Sequence, residues 1–65
     1  MKNKIKIERA IKDLTQEKLA EMIGVSRQTI NSIEKGRYIP STTLALKISE
    51  VFEKTVNELF ELEEE

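Results

Sequence analysis

TQEKLAEMIGVSRQTINSIEKG occupies residues 15–36, and its reading decides the fold. Thr15 and Ser26 each stand just ahead of a segment with helical apolar spacing, where a hydroxyl can accept a free backbone N–H at a helix start. Gly24 and Gly36 close those segments, because a helix end that turns into the left-handed region favours glycine. Two helices are therefore expected, at about residues 16–23 and 27–35. Leu19, Ala20 and Ile23 form the apolar stripe of the first, and Ile30 and Ile33 that of the second. Small Ala20 lets the two helices approach, and Val25 in the turn plugs the space between them.

The free side of the second helix is unusual. Advancing about 100 degrees per residue from Arg27 puts Gln28 and Lys35 opposite the isoleucines. Arg27, Asn31 and Ser32 flank them, and Thr29 lies on the shoulder. A helix that merely meets water favours Glu, Lys and Ala. Asn, Ser and Thr carry a small helix penalty and offer short, directional donors and acceptors instead. Such groups suit base edges in a major groove, where Gln pairs bidentately with adenine, Arg with guanine, and a Thr methyl meets a thymine methyl. A helix, a tight turn and a second helix with a polar free face make a helix-turn-helix.

Flanking segments extend the helical pattern. Ile7, Ala10, Ile11 and Leu14 fit one face of a first helix at about residues 5–12. Pro40 ends the loop after Gly36, and Ser41 or Thr42 caps a fourth helix with Leu44, Ala45, Ile48, Val51 and Phe52 inward. TVNE, residues 55–58, is a capping box ahead of a last short helix that buries Val56, Leu59 and Phe60. Five helices without a sheet make an all-α fold. One variant pairs NKIKI, residues 3–7, as a strand with FELEEE, residues 60–65, basic against acidic, within or between chains.

At 65 residues the chain reads as one domain, with the helix-turn-helix at 16–35 and an acidic tail at 61–65. It has no cysteine and no histidine, which excludes disulfides and argues against a zinc site. No nucleophile–base pair and no glycine-rich phosphate loop point to an enzyme. Neither a cofactor nor a metal is expected. No apolar run has the length of a membrane span, so a cytoplasmic protein is expected. The net charge of −1 hides an uneven distribution. Seven glutamates after residue 49 concentrate the acid at one end, which leaves the other end free to present a basic face.

Residues 15–40, TQEKLAEMIGVSRQTINSIEKGRYIP, resemble the helix-turn-helix of the Cro and phage-repressor family, also called Xre-type regulators. The shared pattern is Thr-Gln at a helix start, Leu-Ala, Gly-Val-Ser, Gln-Thr-Ile, and Ile-Glu-x-Gly before a proline. LALKISEVF and VNELF resemble the family's fourth and fifth helices, so the resemblance spans about residues 5–62. It implies a five-helix, lambda-repressor-like domain that binds double-stranded DNA, usually as a dimeric transcriptional repressor. It also implies residue roles. Gln16 would hold a backbone phosphate and buttress Gln28. Ser26, Arg27, Gln28 and Thr29 would open the recognition helix, with Arg27 and Gln28 on base edges. Ser32 would also read bases. Thr29, Asn31, Lys35, Arg37 and Tyr38 would hold phosphates, and Glu34 would bond backbone in the following loop. Two residues depart from the pattern. Asp13 stands where glycine is common, and Glu8 stands where a core leucine is common, which suggests that Ile7 or Ile11 takes over that packing.

A handful of phosphate contacts from one copy gives a non-specific affinity of only about 10⁻⁴–10⁻⁶ M. A two-fold dimer would set two recognition helices about 34 Å apart, in successive major grooves. A homodimer on a pseudo-palindromic operator is therefore expected, joined through Val56, Leu59, Phe60 and Leu62. The rival is an antitoxin-like or controller protein that acts mainly through a protein partner.

Overall fold

The structure, a computed structural model, describes residues 1–63. Strand β1 (Lys2–Asn3) leads into α1 (Ile5–Ile11), then α2 (Gln16–Ile23), α3 (Arg27–Glu34), α4 (Thr42–Phe52), α5 (Val56–Leu59) and strand β2 (Phe60–Glu61). The helix starts are set by hydroxyls. Thr15 accepts the Lys18 N–H at 2.9 Å, Ser26 that of Thr29 at 3.2 Å, and Ser41 that of Leu44 at 3.2 Å. At α5 the capping box closes both ways. Thr55 accepts the Glu58 N–H at 3.2 Å, and the Glu58 carboxylate accepts the Thr55 N–H at 3.0 Å.

Gly24 ends α2 with φ 75°, and a Cβ built there would meet nothing within 4 Å. The position therefore needs glycine for its backbone angle and not for space. The Val25 N–H then returns to the Ala20 carbonyl at 3.0 Å, and Val25 packs against the core between α2 and α3. Leu19, Ala20, Ile23, Ile30, Ile33, Leu44, Ile48, Phe52, Leu59 and Phe60 make that core together with Ile5. Ala45, Val51 and Val56 lie at its edge.

The five expected helices are present, and the structure differs from expectation in three details. The first helix is rotated. Ile7 is 59% exposed and Ile11 70%, while Ile5 and Glu8 point inward. Glu8 fills the apolar position because Lys54 Nζ meets its carboxylate at 2.9 Å, which answers the charge that burial would otherwise penalise. The all-α fold also carries a two-stranded antiparallel ribbon, with Lys2 opposite Glu61 and Asn3 opposite Phe60. The basic-against-acidic variant thus occurs within one chain, over a shorter stretch. Finally, α3 stops at Glu34, and Lys35 is its C-cap.

The expected acidic tail is partly structured. Glu61 lies in β2, and Glu63 Oε1 sits 3.0 Å from the Met1 amine, which holds that carboxyl below the usual range. Glu64 and Glu65 lie outside the described residues. Two non-glycine residues adopt left-handed backbone, Asp13 with φ 57° and Glu53 with φ 53°. Asp13 thus takes the conformation that glycine would take more easily.

The backbone hydrogen bond from Thr55 lowers the Glu58 pKa from its ordinary value. The stability this supplies is complete above the unfolded carboxylate pKa and is lost as pH falls through the folded one. Urea titrations of wild type and Glu58→Gln should therefore differ most near neutrality and converge as pH falls through the lowered folded-state pKa of Glu58. A difference that stays constant across that range would remove the carboxylate from the cap.

Candidate nucleic-acid interface

α3 turns two faces in opposite directions. Ile30 and Ile33 are buried, at 0% and 1% exposure, so the helix is anchored by its thin aliphatic side. Arg27 and Gln28 are exposed, and Thr29, Asn31 and Ser32 are half-buried at the flank. The structure therefore places the hydrophilic side of this helix outward, as the residue pattern required. Gln28 lies at the junction of two shallow notches. One is formed with Gln16, Arg27 and Asn31, and the other with Thr29, Ser32 and Tyr38. Among the described residues, the side chains of Arg27, Gln28 and Ser32 make no hydrogen bond within the chain, so their donors and acceptors face solvent unused.

The other candidates are placed differently. Ser26 is first a cap. Its Oγ accepts the Thr29 amide and lies 3.0 Å from Thr29 Oγ1, with either hydroxyl able to donate. One of the two hydroxyl protons is left to point outward. Tyr38 is 47% exposed and Arg37 is exposed in the loop after α3, where their N–H groups donate to the Ser32 carbonyl at 3.3 and 2.9 Å. Lys35 is exposed, but it borders a depression with Met1, Asn3 and Glu63 rather than either notch.

Gln16 and Glu34 are where the structure departs most from expectation. Gln16 Nε2 donates to Glu34 Oε1 at 3.1 Å and to Asn31 Oδ1 at 3.4 Å. Its carboxamide N–H groups are turned into the protein and buttress Asn31 and Glu34 rather than Gln28. Glu34 bonds no loop backbone. Its carboxylate takes Arg9 Nε at 2.6 Å and Arg9 Nη2 at 3.1 Å, while Arg9 Nη1 donates to the Leu14 carbonyl at 2.8 Å. Side-chain exposure is 15% for Arg9 and 5% for Glu34. The Glu34 hydrogen bond raises the Arg9 pKa against the opposing effect of burial, so the guanidinium stays charged throughout the physiological range.

Arg9 was missed by the sequence reading. A usable signal was present, since it is the one arginine among four lysines in residues 1–15. A planar fork suits a bidentate carboxylate far better than an ammonium does. Glu34 also removes one acid from the charge that this face presents, because Arg9 answers it internally.

The expected dimer residues divide. Leu59, the last residue of α5, at 1% exposure and Phe60, which opens β2 opposite Asn3, at 8% close the core of a single copy. Val56 is half-buried and Leu62 is 83% exposed, so these two remain at the surface. They border an apolar groove with Met1, Ala45 and Leu46, and Leu46 is 53% exposed.

Comparison with known proteins agrees with this geometry. The profile of a family described as helix-turn-helix matches residues 5–59. The whole chain is 54% identical over 65 residues to YgzD, an HTH-type transcriptional regulator of Bacillus subtilis (strain 168), and covers 98% of it. It is 52% identical over 65 residues to an HTH-type transcriptional regulator of Methanocaldococcus jannaschii, also with 98% covered. Among solved structures, the restriction-modification controller protein C.AhdI from Aeromonas hydrophila superposes with a TM-score of 0.77 at 30% identity. That match covers 86% of this chain and 85% of the other.

Removing one member of a buried ion pair leaves an unanswered charge, at a cost of about 3 kcal/mol or more. Arg9→Ala should therefore lose most of the stability of so small a fold. The double change Arg9→Met with Glu34→Leu should recover at least half of that loss, because no buried charge remains. Guanidinium unfolding curves of the three proteins decide the matter, and equal stability of the single and double variants would contradict it.

Proposed function

The chain belongs to the helix-turn-helix family of DNA-binding transcriptional regulators, and on that premise we propose that it is a repressor that binds a pseudo-palindromic operator as a homodimer. The observation that carries this reading is the outward strip on α3, whose Arg27, Gln28 and Ser32 side chains are uncommitted within the chain. In the bound state α3 lies in the major groove. Gln28 meets a base edge, with adenine its natural partner, and Arg27 reaches a guanine or a neighbouring phosphate. Ser32 reads at the same edge. The exposed cations Lys35 and Arg37, the Tyr38 hydroxyl, the outward proton shared by Ser26 and Thr29, and Asn31 hold the backbone. Gln16 takes part through its main-chain N–H at the start of α2, since its side chain is engaged with Glu34 and Asn31. Phosphate contacts supply affinity and base contacts supply choice.

The second copy docks on the groove bordered by Leu46, Val56 and Leu62. Burying those exposed leucines gives the association an apolar drive that the small core leaves unused. A two-fold dimer that reads successive major grooves needs its two copies of α3 about 34 Å apart. Such a regulator acts in the cytoplasm, and no helix among the described residues is long and apolar enough to cross a membrane.

Two measurements test this. In selection of duplexes from a random pool, Gln28→Ala should relax preference at one base position at a cost of about 1–3 kcal/mol. Lys35→Ala and Arg37→Ala should instead weaken all sequences alike and lower the salt slope by about 1 each. If all three leave selection and salt slope unchanged, α3 is not the reading element. In sedimentation, wild type should run as a dimer and Leu46→Glu as a folded monomer. A Leu46→Glu protein that still dimerises would move the interface elsewhere.

A further inference from the structure

One residue ties the proposed reading helix to the proposed dimer face. Asn3 Nδ2 donates to the Ile33 carbonyl, in the last turn of α3, at 2.8 Å. Its Oδ1 accepts the Ile5 N–H at 3.2 Å, at the start of α1. Its backbone pairs with Phe60 in the ribbon, and the next N–H, of Lys4, donates to the Leu59 carbonyl at 2.9 Å. One half-buried residue therefore joins the end of α3 and the start of α1 through its carboxamide, and the strand that follows α5 through its backbone.

The same strand region borders the groove assigned to the second copy. Met1, Phe60 and Leu62 line it beside Leu46 and Val56. In a dimer built there, the position of one α3 relative to the other depends on how rigidly each α3 is held to its own ribbon. Hydrophobic packing of Ile30 and Ile33 fixes the depth of the helix but is weakly directional. A hydrogen bond to a carbonyl near its end is directional and resists rotation about the packing face. Asparagine fits the task because it supplies a donor and an acceptor on one short planar group.

The geometry points to Asn3 as a positioning residue that fixes the angle between α3 and the dimer face, and so sets the half-site spacing the dimer accepts. This rests on the dimeric reading above. Asn3→Asp isolates the effect. The aspartate can still accept the Ile5 N–H, as the Asn3 Oδ1 does, but an ionised carboxylate has no donor for the Ile33 carbonyl. Asn3→Ser serves as a second variant, since its hydroxyl can accept the Ile5 N–H and is too short to span to α3.

The experiment measures affinity for duplexes with two half-sites about 10 base pairs apart, for the same duplexes lengthened or shortened by one base pair, and for an isolated half-site. Wild type should discriminate among the spacings. Each variant should lose discrimination by about fivefold, the effect of one net hydrogen bond, while half-site affinity and base preference stay as in wild type. General destabilisation would weaken every duplex alike and leave the ratios untouched. Wild-type spacing ratios in both folded variants, with circular dichroism showing intact helices, overturn the assignment of Asn3. A wild type with no spacing preference removes the dimeric reading itself, and the role of Asn3 with it.

Discussion

Three helices meet at one carboxylate. Arg9 from α1 grips Glu34 with two nitrogens, and Gln16 at the start of α2 adds a third donor to the same group at the end of α3. Burial of an ion pair is costly, and a purely apolar contact at this point could stabilise the fold as well or better. What the pair adds is direction. Apolar surfaces slide, whereas a guanidinium fork meets a carboxylate in one plane. The angle between α2 and α3 is thereby defined without a large core, which a chain of 65 residues cannot build. The outward direction of the polar strip of α3 depends on that angle being held.

Much of the fold was legible because its signals are local. Thr15, Ser26, Ser41 and Thr55 each act on an amide three residues ahead, so a short window of sequence contains both partners. Gly24 acts within its own turn. The outward face of α3 followed from the helical step alone. What was missed depends on partners far apart in sequence. Glu8 is buried because Lys54 reaches it from across the molecule, and that pairing, not the apolar count of α1, decides which way the helix faces. The variant that paired NKIKI, residues 3–7, as a strand ran too far along the chain, because the ribbon forms at Lys2–Asn3, with Lys2 opposite Glu61. Glu34 and Arg9 lie 25 residues apart, and no periodicity links them. The outward residues of α3 were readable from type and phase. The turning of the Gln16 carboxamide inward was not, because it depends on the acceptors that folding brings beside it.

The surface separates two kinds of work. Residues on the outward strip, such as Arg27 and Gln28, make no side-chain hydrogen bond among the described residues. Residues behind them, such as Gln16, Glu34 and Arg9, are saturated with such bonds. Free groups lose no internal partner when they meet a duplex, and saturated ones lose little freedom because folding has already ordered them. The chain thus holds its outward groups on a rigid support while leaving their chemistry unused within the fold.

The left-handed backbone at Asp13 and Glu53 has a consequence for how such a chain can diverge. A side chain held in that region costs roughly 1 kcal/mol over glycine's easier fit. Neither residue lies on α3, so relaxing either would leave its polar strip as it is. A lineage that takes on a destabilising change along that strip can offset the loss with a single glycine at either bend. Its surface can drift while its architecture stays put.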